Sequence, residues 1–225
     1  MKITWLGHSG FRIEIADQIL LVDPWLRGNP MFDEARYDDA VAGVTHLLVS
    51  HGHFDHSANA VEISKASGAP IAAVYELANA LGAEAGVDPM PFGLGGTVAM
   101  GEVKVTLVGA RHSSSTSAGY AGTEAGFMIE GEGKTIYFSG DTDVTADMGV
   151  YQALHAPQIG ILCVGGHFTM DQRRAAYAAT AFFDFETVIP CHYRTFPLLA
   201  QDAEELKAAL PGKVREPEVM VPIEL

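Results

Sequence analysis

The sequence predicts an α/β fold in which two sheets pack together with helices on the outside. Three observations point there. Short apolar runs with period-two alternation open the chain, strand–helix alternation follows, and the same order returns in the second half.

The opening set reads as strands over 3–6, 11–15 and 19–22. Ile3/Trp5 and Phe11/Ile13/Ile15 alternate as a half-buried sheet requires. Gly7 and Gly10 punctuate the set and Asp23-Pro24 closes it. A strand over 46–50, a helix over 57–66, a strand over 70–74 and a helix over 75–85 come next. The glycines 93, 95 and 96 then turn the chain into strands 97–100 and 103–108. In the second half, 126–130 and 135–139 read as a hairpin, 144–154 as a helix and 159–164 as a buried strand. Asp171 is placed to N-cap a helix over 172–183. A strand over 187–190, a helix over 203–210 and an edge strand over 219–223 complete the chain. No low-complexity linker separates the halves, so residues 1–225 read as a single domain.

Composition narrows the functions open to such a fold. With 225 residues, 48% hydrophobic and 19% charged, the chain can bury a real core and is not of disordered type. Its 28 acids against 14 bases leave a formal charge of −14, with no Lys/Arg run to offset it. That balance repels phosphodiester backbones, so a small-molecule substrate is expected rather than nucleic acid. No apolar stretch is long enough for a signal peptide or a membrane span. Cys163 and Cys191 lie far apart in apolar runs without a Cys-x-x-Cys, which reads as two buried thiols in a cytoplasmic protein. Assembly into a homo-oligomer is left open.

The decisive segment is Ser50-His51-Gly52-His53-Phe54-Asp55-His56-Ser57. Three histidines and an aspartate within six positions, directly after an apolar strand, arise by chance in roughly one such sequence in a thousand. Where the chain leaves a strand, His51 and His53 point to one side and can share an ion. Asp55 and His56 turn the other way as a helix begins and can hold a second. Imidazole nitrogen and carboxylate oxygen are ligands that Zn, Mn, Fe or Ni accept. Two ions need further ligands, and three lie at strand ends: His112, Asp141 within Gly140-Asp141-Thr142, and His192. The glycine before Asp141 permits a sharp turn.

These residues resemble the metallo-β-lactamase superfamily, whose seven metal-ligand positions match His51, His53, Asp55, His56, His112, Asp141 and His192. The resemblance covers essentially the whole chain and is closest to the UPF0173 group of metal-dependent hydrolases. Trp5-Leu6-Gly7-His8-Ser9, Asp23-Pro24-Trp25, Gly166-His167-Phe168-Thr169-Met170 and the segment from His192 to Pro197 support it. Asn is usual in that group where Arg194 stands, a departure outside the ligand positions.

The resemblance implies a four-layer αββα sandwich of two mixed sheets, with the metal cleft along one edge. It further implies two divalent ions per chain, zinc first, with manganese, nickel or iron as alternatives. His51, His53 and His112 would hold one ion, Asp55, His56 and His192 the other, and Asp141 would bridge them. Such a pair lowers the pKa of a shared water toward about 7 and polarises the scissile group. The expected reaction is hydrolysis of a small ester, lactone, amide or phosphodiester.

Three more residues are candidates for chemistry beside Asp55. His8, at a turn between Gly7 and Ser9, and His167, after Gly165-Gly166, are read as proton donors or substrate contacts. Tyr193 could hydrogen-bond a developing oxyanion, with ordinary packing as the competing role. His46 and His155 lack a partner pattern and read as structural, and Trp5 and Trp25 as core. Two other functions are weighed. A di-iron oxidoreductase on this fold carries Glu where His53 stands, and a non-catalytic metal-binding or sensing protein would keep the ligands without turnover.

Overall fold

The computed structural model describes all residues 1–225. The chain begins as a meander of β1 (Lys2–Gly7), β2 (Gly10–Ile15) and β3 (Gln18–Val22). Ile13 faces Ile3 on one neighbour and Leu20 on the other, so the alternation seen in sequence becomes one apolar face across three strands. A 3₁₀ turn (Glu34–Arg36) and α1 (Tyr37–Val41) lead to β4 (His46–Leu48). From there α2 (Phe54–Ser57), α3 (Ala60–Ser67), β5 (Ile71–Val74), α4 (Tyr75–Ala85) and β6 (Met90–Phe92) follow. Strands β3 to β6 run parallel, as helical crossovers require.

The second sheet starts with β7 (Thr97–Met100) and β8 (Val103–Gly109). A two-stranded ribbon, β9 (Ser115–Thr116) and β10 (Gly119–Tyr120), stands apart before β11 (Ala125–Gly131) and β12 (Lys134–Phe138) form the expected hairpin. Next come α5 (Asp147–His155), β13 (Ile159–Cys163), α6 (Gln172–Ala181), β14 (Thr187–Cys191) and α7 (Glu204–Ala209). Finally β15 (Pro222–Glu224) returns to pair with β1. The seven-stranded sheet has the order β15-β1-β2-β3-β4-β5-β6, and the six-stranded sheet β14-β13-β12-β11-β8-β7. Both mix an antiparallel meander with parallel strands, the two mixed sheets that the sequence predicts.

The sheets meet through residues such as Phe11 and Phe138, whose rings cross edge-on at 6.2 Å. The Ile15 side chain of the first sheet lies 2.7 Å from where a Cβ on Gly131 of the second would stand, so glycine gives Ile15 room between the layers. One cluster of 60 buried residues runs through both sheets. Each fully buried Leu, Ile or Phe in it contributes roughly 1.5–3 kcal/mol. That reserve matters at the strand ends, where His8, Asp23 and His192 sit at φ of 53°, 45° and 55°. Left-handed backbone costs a side-chain-bearing residue about 1–2 kcal/mol, and all three belong to the site described below.

Departures from the expected elements have local causes. The helix expected over 57–66 is divided into α2 and α3. Asn59 at the break turns its side-chain oxygen to the Leu26 and Arg27 amides, while its own amide donates to the Pro24 carbonyl. Met220, at φ 62°, interrupts the edge strand expected over 219–223 and leaves only Pro222–Glu224. Asp171 caps α6 as expected, its carboxylate accepting from the Arg174 amide at 2.7 Å. No helix is long and apolar enough to cross a membrane.

Candidate metal centre

Every predicted ligand follows the end of a strand, in the connection beyond it or, for Asp55 and His56, in the short helix α2. His51 and His53 lie between β4 and α2, and His51 Nε2 stands 3.0 Å from His53 Nδ1. Gly52 between them has no room for a side chain, since a Cβ would sit 2.9 Å from both Ala121 and the Ser115 carbonyl. His112, beyond β8, brings its ring edge-on to His51 at 5.2 Å and His53 at 5.1 Å. Its loop is held by a bond from the His112 amide to Glu124. One ligand atom from each of these three histidines falls within 4.8 Å of the others. Asp55, His56 and His192 form a second group by the same measure, and His8 belongs to it.

Asp141 sits between the groups, in the turn after β12. Gly140 before it takes the left-handed conformation, and a Cβ there would collide with the Ala125 carbonyl. Asp141 Oδ2 lies 3.9 Å from His51 Nε2, 3.6 Å from His112 Nε2, 3.3 Å from His56 Nε2 and 3.0 Å from His192 Nε2. It therefore faces two histidines from each group. Zinc ligands at 2.0–2.1 Å in a tetrahedron stand about 3.3–3.4 Å from one another, which these spacings bracket. Asp141 Oδ1, His56 Nε2 and His192 Nδ1 are buried without a hydrogen-bond partner. Buried polar atoms left unpartnered around converging imidazole nitrogens and a carboxylate are what a cation-binding shell presents, so the residues fit divalent metal.

A second layer fixes how the ligands point. Asp23, fully buried where β3 ends, accepts from the Ser50 amide at 2.7 Å and the Ser50 hydroxyl at 2.6 Å. The same carboxylate takes His56 Nδ1–H at 2.7 Å, which leaves Nε2 of that ring free for ligation. Ser50 Oγ also lies 3.0 Å from His51 Nδ1, so one aspartate orients a ligand of each group. His8 does the corresponding work for Asp55, with Nε2 3.0 Å from Asp55 Oδ2 and Nδ1 2.8 Å from Thr195 Oγ1. Its turn is anchored by the Trp5 indole and the His192 amide, which both donate to the His8 carbonyl.

Electrostatics in the metal-free protein follow from burial against this geometry. Burial and the neighbouring His192 push His8 down to about 4, so it is a neutral ring donating to Asp55. His51 is likewise lowered by burial and by His56. Burial opposes charge on His56 too, yet Asp141 and Asp23 outweigh it and raise that imidazole well above its usual range. Asp141 shows the converse, as His192 and His56 overcome burial and hold the carboxyl well below the usual range. Asp55 is lowered for the same kind of reason, the His8 hydrogen bond and His56 prevailing over burial. A proton on His56 thus stands in for part of the positive charge the site is built to hold.

The comparisons agree with this geometry. A family model described as the beta-lactamase superfamily domain matches residues 2–192. A UPF0173 metal-dependent hydrolase of Dinoroseobacter shibae is 62% identical over 100% of both chains, and one of Paracoccus denitrificans is 57% identical over the same share. Among solved structures, Igni18, a metallo hydrolase from Ignicoccus hospitalis, has a TM-score of 0.86 at 30% identity, covering 100% of this chain and 98% of its own. The chain belongs to the metallo-β-lactamase superfamily, among its UPF0173 metal-dependent hydrolases.

The other residues singled out in this UPF0173 chain take different places. His8 is fully buried and is not among the residues lining the cleft, and its ring holds the Asp55 carboxylate. His167 is exposed on a turn, edge-on to Phe168 at 4.6 Å, and contributes to none of the ligand groups. The Tyr193 hydroxyl points to Glu216 at 3.3 Å and its ring stacks on Trp5 at 5.5 Å, a packing role. His46 bonds Gln18 and His155 bonds Glu130, both away from the cluster. Trp25 is buried as expected, but it also backs His8, Phe54 and Phe196.

Sequence reasoning missed Asp23, Ser50 and Thr195 as orienting groups. The Asp-Pro stop after β3 was the available signal for Asp23, whereas nothing local marks Thr195, whose partner lies 187 positions away. It also missed the cleft itself. A cavity of about 990 Å³ opens over the UPF0173 cluster, floored by His53, Asp55, His112, Asp141 and His192.

Proposed function

We propose that this metal-dependent hydrolase works with two divalent ions, zinc first, on a small molecule at the floor of the cleft. The observation that carries the reading is Asp141 Oδ2, within 4 Å of Nε2 on four histidines drawn from both groups. A carboxylate oxygen in that position serves as a shared ligand. His51, His53 and His112 would hold one ion, and Asp55, His56 and His192 the other.

When bound, such ions supply Lewis-acid polarisation of the scissile group and activation of water. The chain's own residues do the rest. Asp23 keeps His56 in the tautomer that presents Nε2, and through Ser50 it steadies His51. His8 pins Oδ2 of Asp55, whose side chain is 15% exposed and lines the cleft. Held ionised there, Asp55 is placed to orient the attacking water and accept its proton. The scissile bond of an ester, lactone, amide or phosphodiester would lie against this floor. His167, on the exposed turn, takes no step in this scheme.

His53 stands where di-iron oxidoreductases of this fold carry Glu, which favours hydrolysis over iron redox chemistry. The formal charge of −14 supports a small-molecule substrate over nucleic acid.

Native mass spectrometry of wild type and Asp141→Ala in excess zinc tests the reading. Two ions per wild-type chain are expected, with both weakened together in the variant. One ion at saturation, or loss of a single ion in Asp141→Ala, would overturn it.

A further inference from the structure

The walls of the cleft differ in character from its floor. Phe54, Phe168 and Leu198 line it while 63%, 53% and 62% exposed, and Phe196, Val61 and Leu81 extend the same lining. Single exposed apolar side chains are ordinary, but several converging on one concave surface above a reactive centre form a binding surface. Phe54 is propped by Trp25, whose ring meets it at 5.4 Å and stacks on Phe196 at 5.8 Å. The aromatic wall is thus backed by a buried residue.

Charge is the second observation. No lysine or arginine lines the cleft, and its one charged residue away from the floor is Glu84. The rest of the polar lining is hydroxyl-bearing: Ser57, Ser113, Ser115, Thr116 and Ser117. A phosphate, sulfate or carboxylate on the body of a substrate would find no cationic partner there and would face Glu84. Anions are ordinarily recognised by Arg or Lys forks or by helix N-termini, and the walls offer none of the former.

We infer that the cleft selects a substrate with an uncharged body, an apolar alkyl or aryl group that lies along the Phe54, Phe168 and Leu198 wall. The volume of about 990 Å³ accommodates a molecule of drug size. The inference rests on the metal-dependent hydrolase reading for the floor, but the wall is testable without turnover.

The test is calorimetric binding of zinc-loaded protein to alkyl hydroxamates, whose head binds metal and whose tail varies. Acetohydroxamate, hexanohydroxamate and the ω-carboxylate analogue of the latter are compared, and the corresponding p-nitrophenyl esters are assayed beside them. Each buried methylene is worth about three- to fourfold, so the hexanoyl tail should bind at least thirtyfold tighter than acetyl. The ω-carboxylate should cancel that gain. In Leu198→Glu, a change at an exposed position, the hexanoyl-to-acetyl ratio should fall at least tenfold. A flat series, a preference for the carboxylate tail, an unchanged ratio in the variant, or no binding would each overturn the inference. Tail-dependent binding without hydrolysis of any ester would uphold the wall and count against the hydrolytic reading instead.

Discussion

Asp23→Asn isolates the orienting layer from the ligands, because it changes one atom and almost no volume. Asp23 receives three hydrogen bonds, from the Ser50 amide, the Ser50 hydroxyl and His56 Nδ1. An asparagine must keep its oxygen toward the Ser50 amide, which can only donate. Its NH₂ then faces His56 Nδ1, and that contact is favourable only if the imidazole carries its proton on Nε2. The nitrogen that faces Asp141, 3.3 Å away, is thereby blocked. Turning the amide around instead sets two donors against each other at Ser50. Hydrogen bonds to charged groups are worth about 1.5–3 kcal/mol, and 1.4 kcal/mol is tenfold in an equilibrium constant. The expected loss is roughly 10–100-fold in affinity for the ion that His56 holds, in line with other outer-layer carboxylates. The other ion should weaken less, since Ser50 can still reach His51. Competition with a chromophoric chelator resolves the two affinities, and circular dichroism of the metal-free variant checks the fold. If both affinities stay within threefold of wild type in a folded variant, the tautomer argument is wrong.

Three further outcomes follow from the same geometry. Asp55→Asn should lose its value as a proton acceptor while keeping a ligand oxygen, lowering kcat at least a hundredfold with zinc stoichiometry unchanged by native mass spectrometry; a kcat within tenfold would remove Asp55 from the chemistry. Filling both sites at 100 times their Kd adds about 5 kcal/mol, so Tm should rise by at least about 10 °C on moving from excess chelator to zinc, at 2–4 °C per kcal/mol for a chain of this size. A rise under about 3 °C would mean that the ions bind too weakly to matter. For pH, His8 has its folded value lowered to about 4 in the metal-free protein against 6.5 unfolded. Its stabilisation is therefore complete above 6.5 and lost as pH falls from there toward 4. Between pH 7 and 5 metal-free wild type should lose on the order of 2 kcal/mol more than His8→Gln, measured by urea unfolding; equal losses would show that His8 is not a buried neutral ring.

Much of this site was legible because its ligands are sequence-local or terminate recognisable strands. His51, His53, Asp55 and His56 fall in one short segment after β4, and the change from extended chain to helix separates the first pair from the second. His112, Asp141 and His192 each follow a run whose apolar pattern ends abruptly, and parallel strands deliver such ends to one edge of a sheet. The helix expected over 57–66 failed at Asn59 because the tie to Pro24, Leu26 and Arg27 is tertiary, and helix propensity carries no trace of it.

His8 marks the boundary. Its glycine-flanked turn suggested a residue facing substrate, and only the fold shows Thr195 behind it and Asp55 in front. The short-range sequence determined which residues could bind metal, because ligand chemistry belongs to side-chain type and spacing. Packing decided which nitrogen each ring presents, how the Asp141 carboxylate lies between the two histidine groups, and that the cleft walls are apolar and without cations. Those properties depend on contacts between residues far apart in the chain, such as Asp23 with His56 and Phe54 with Trp25, and come into being only when the two sheets close on each other.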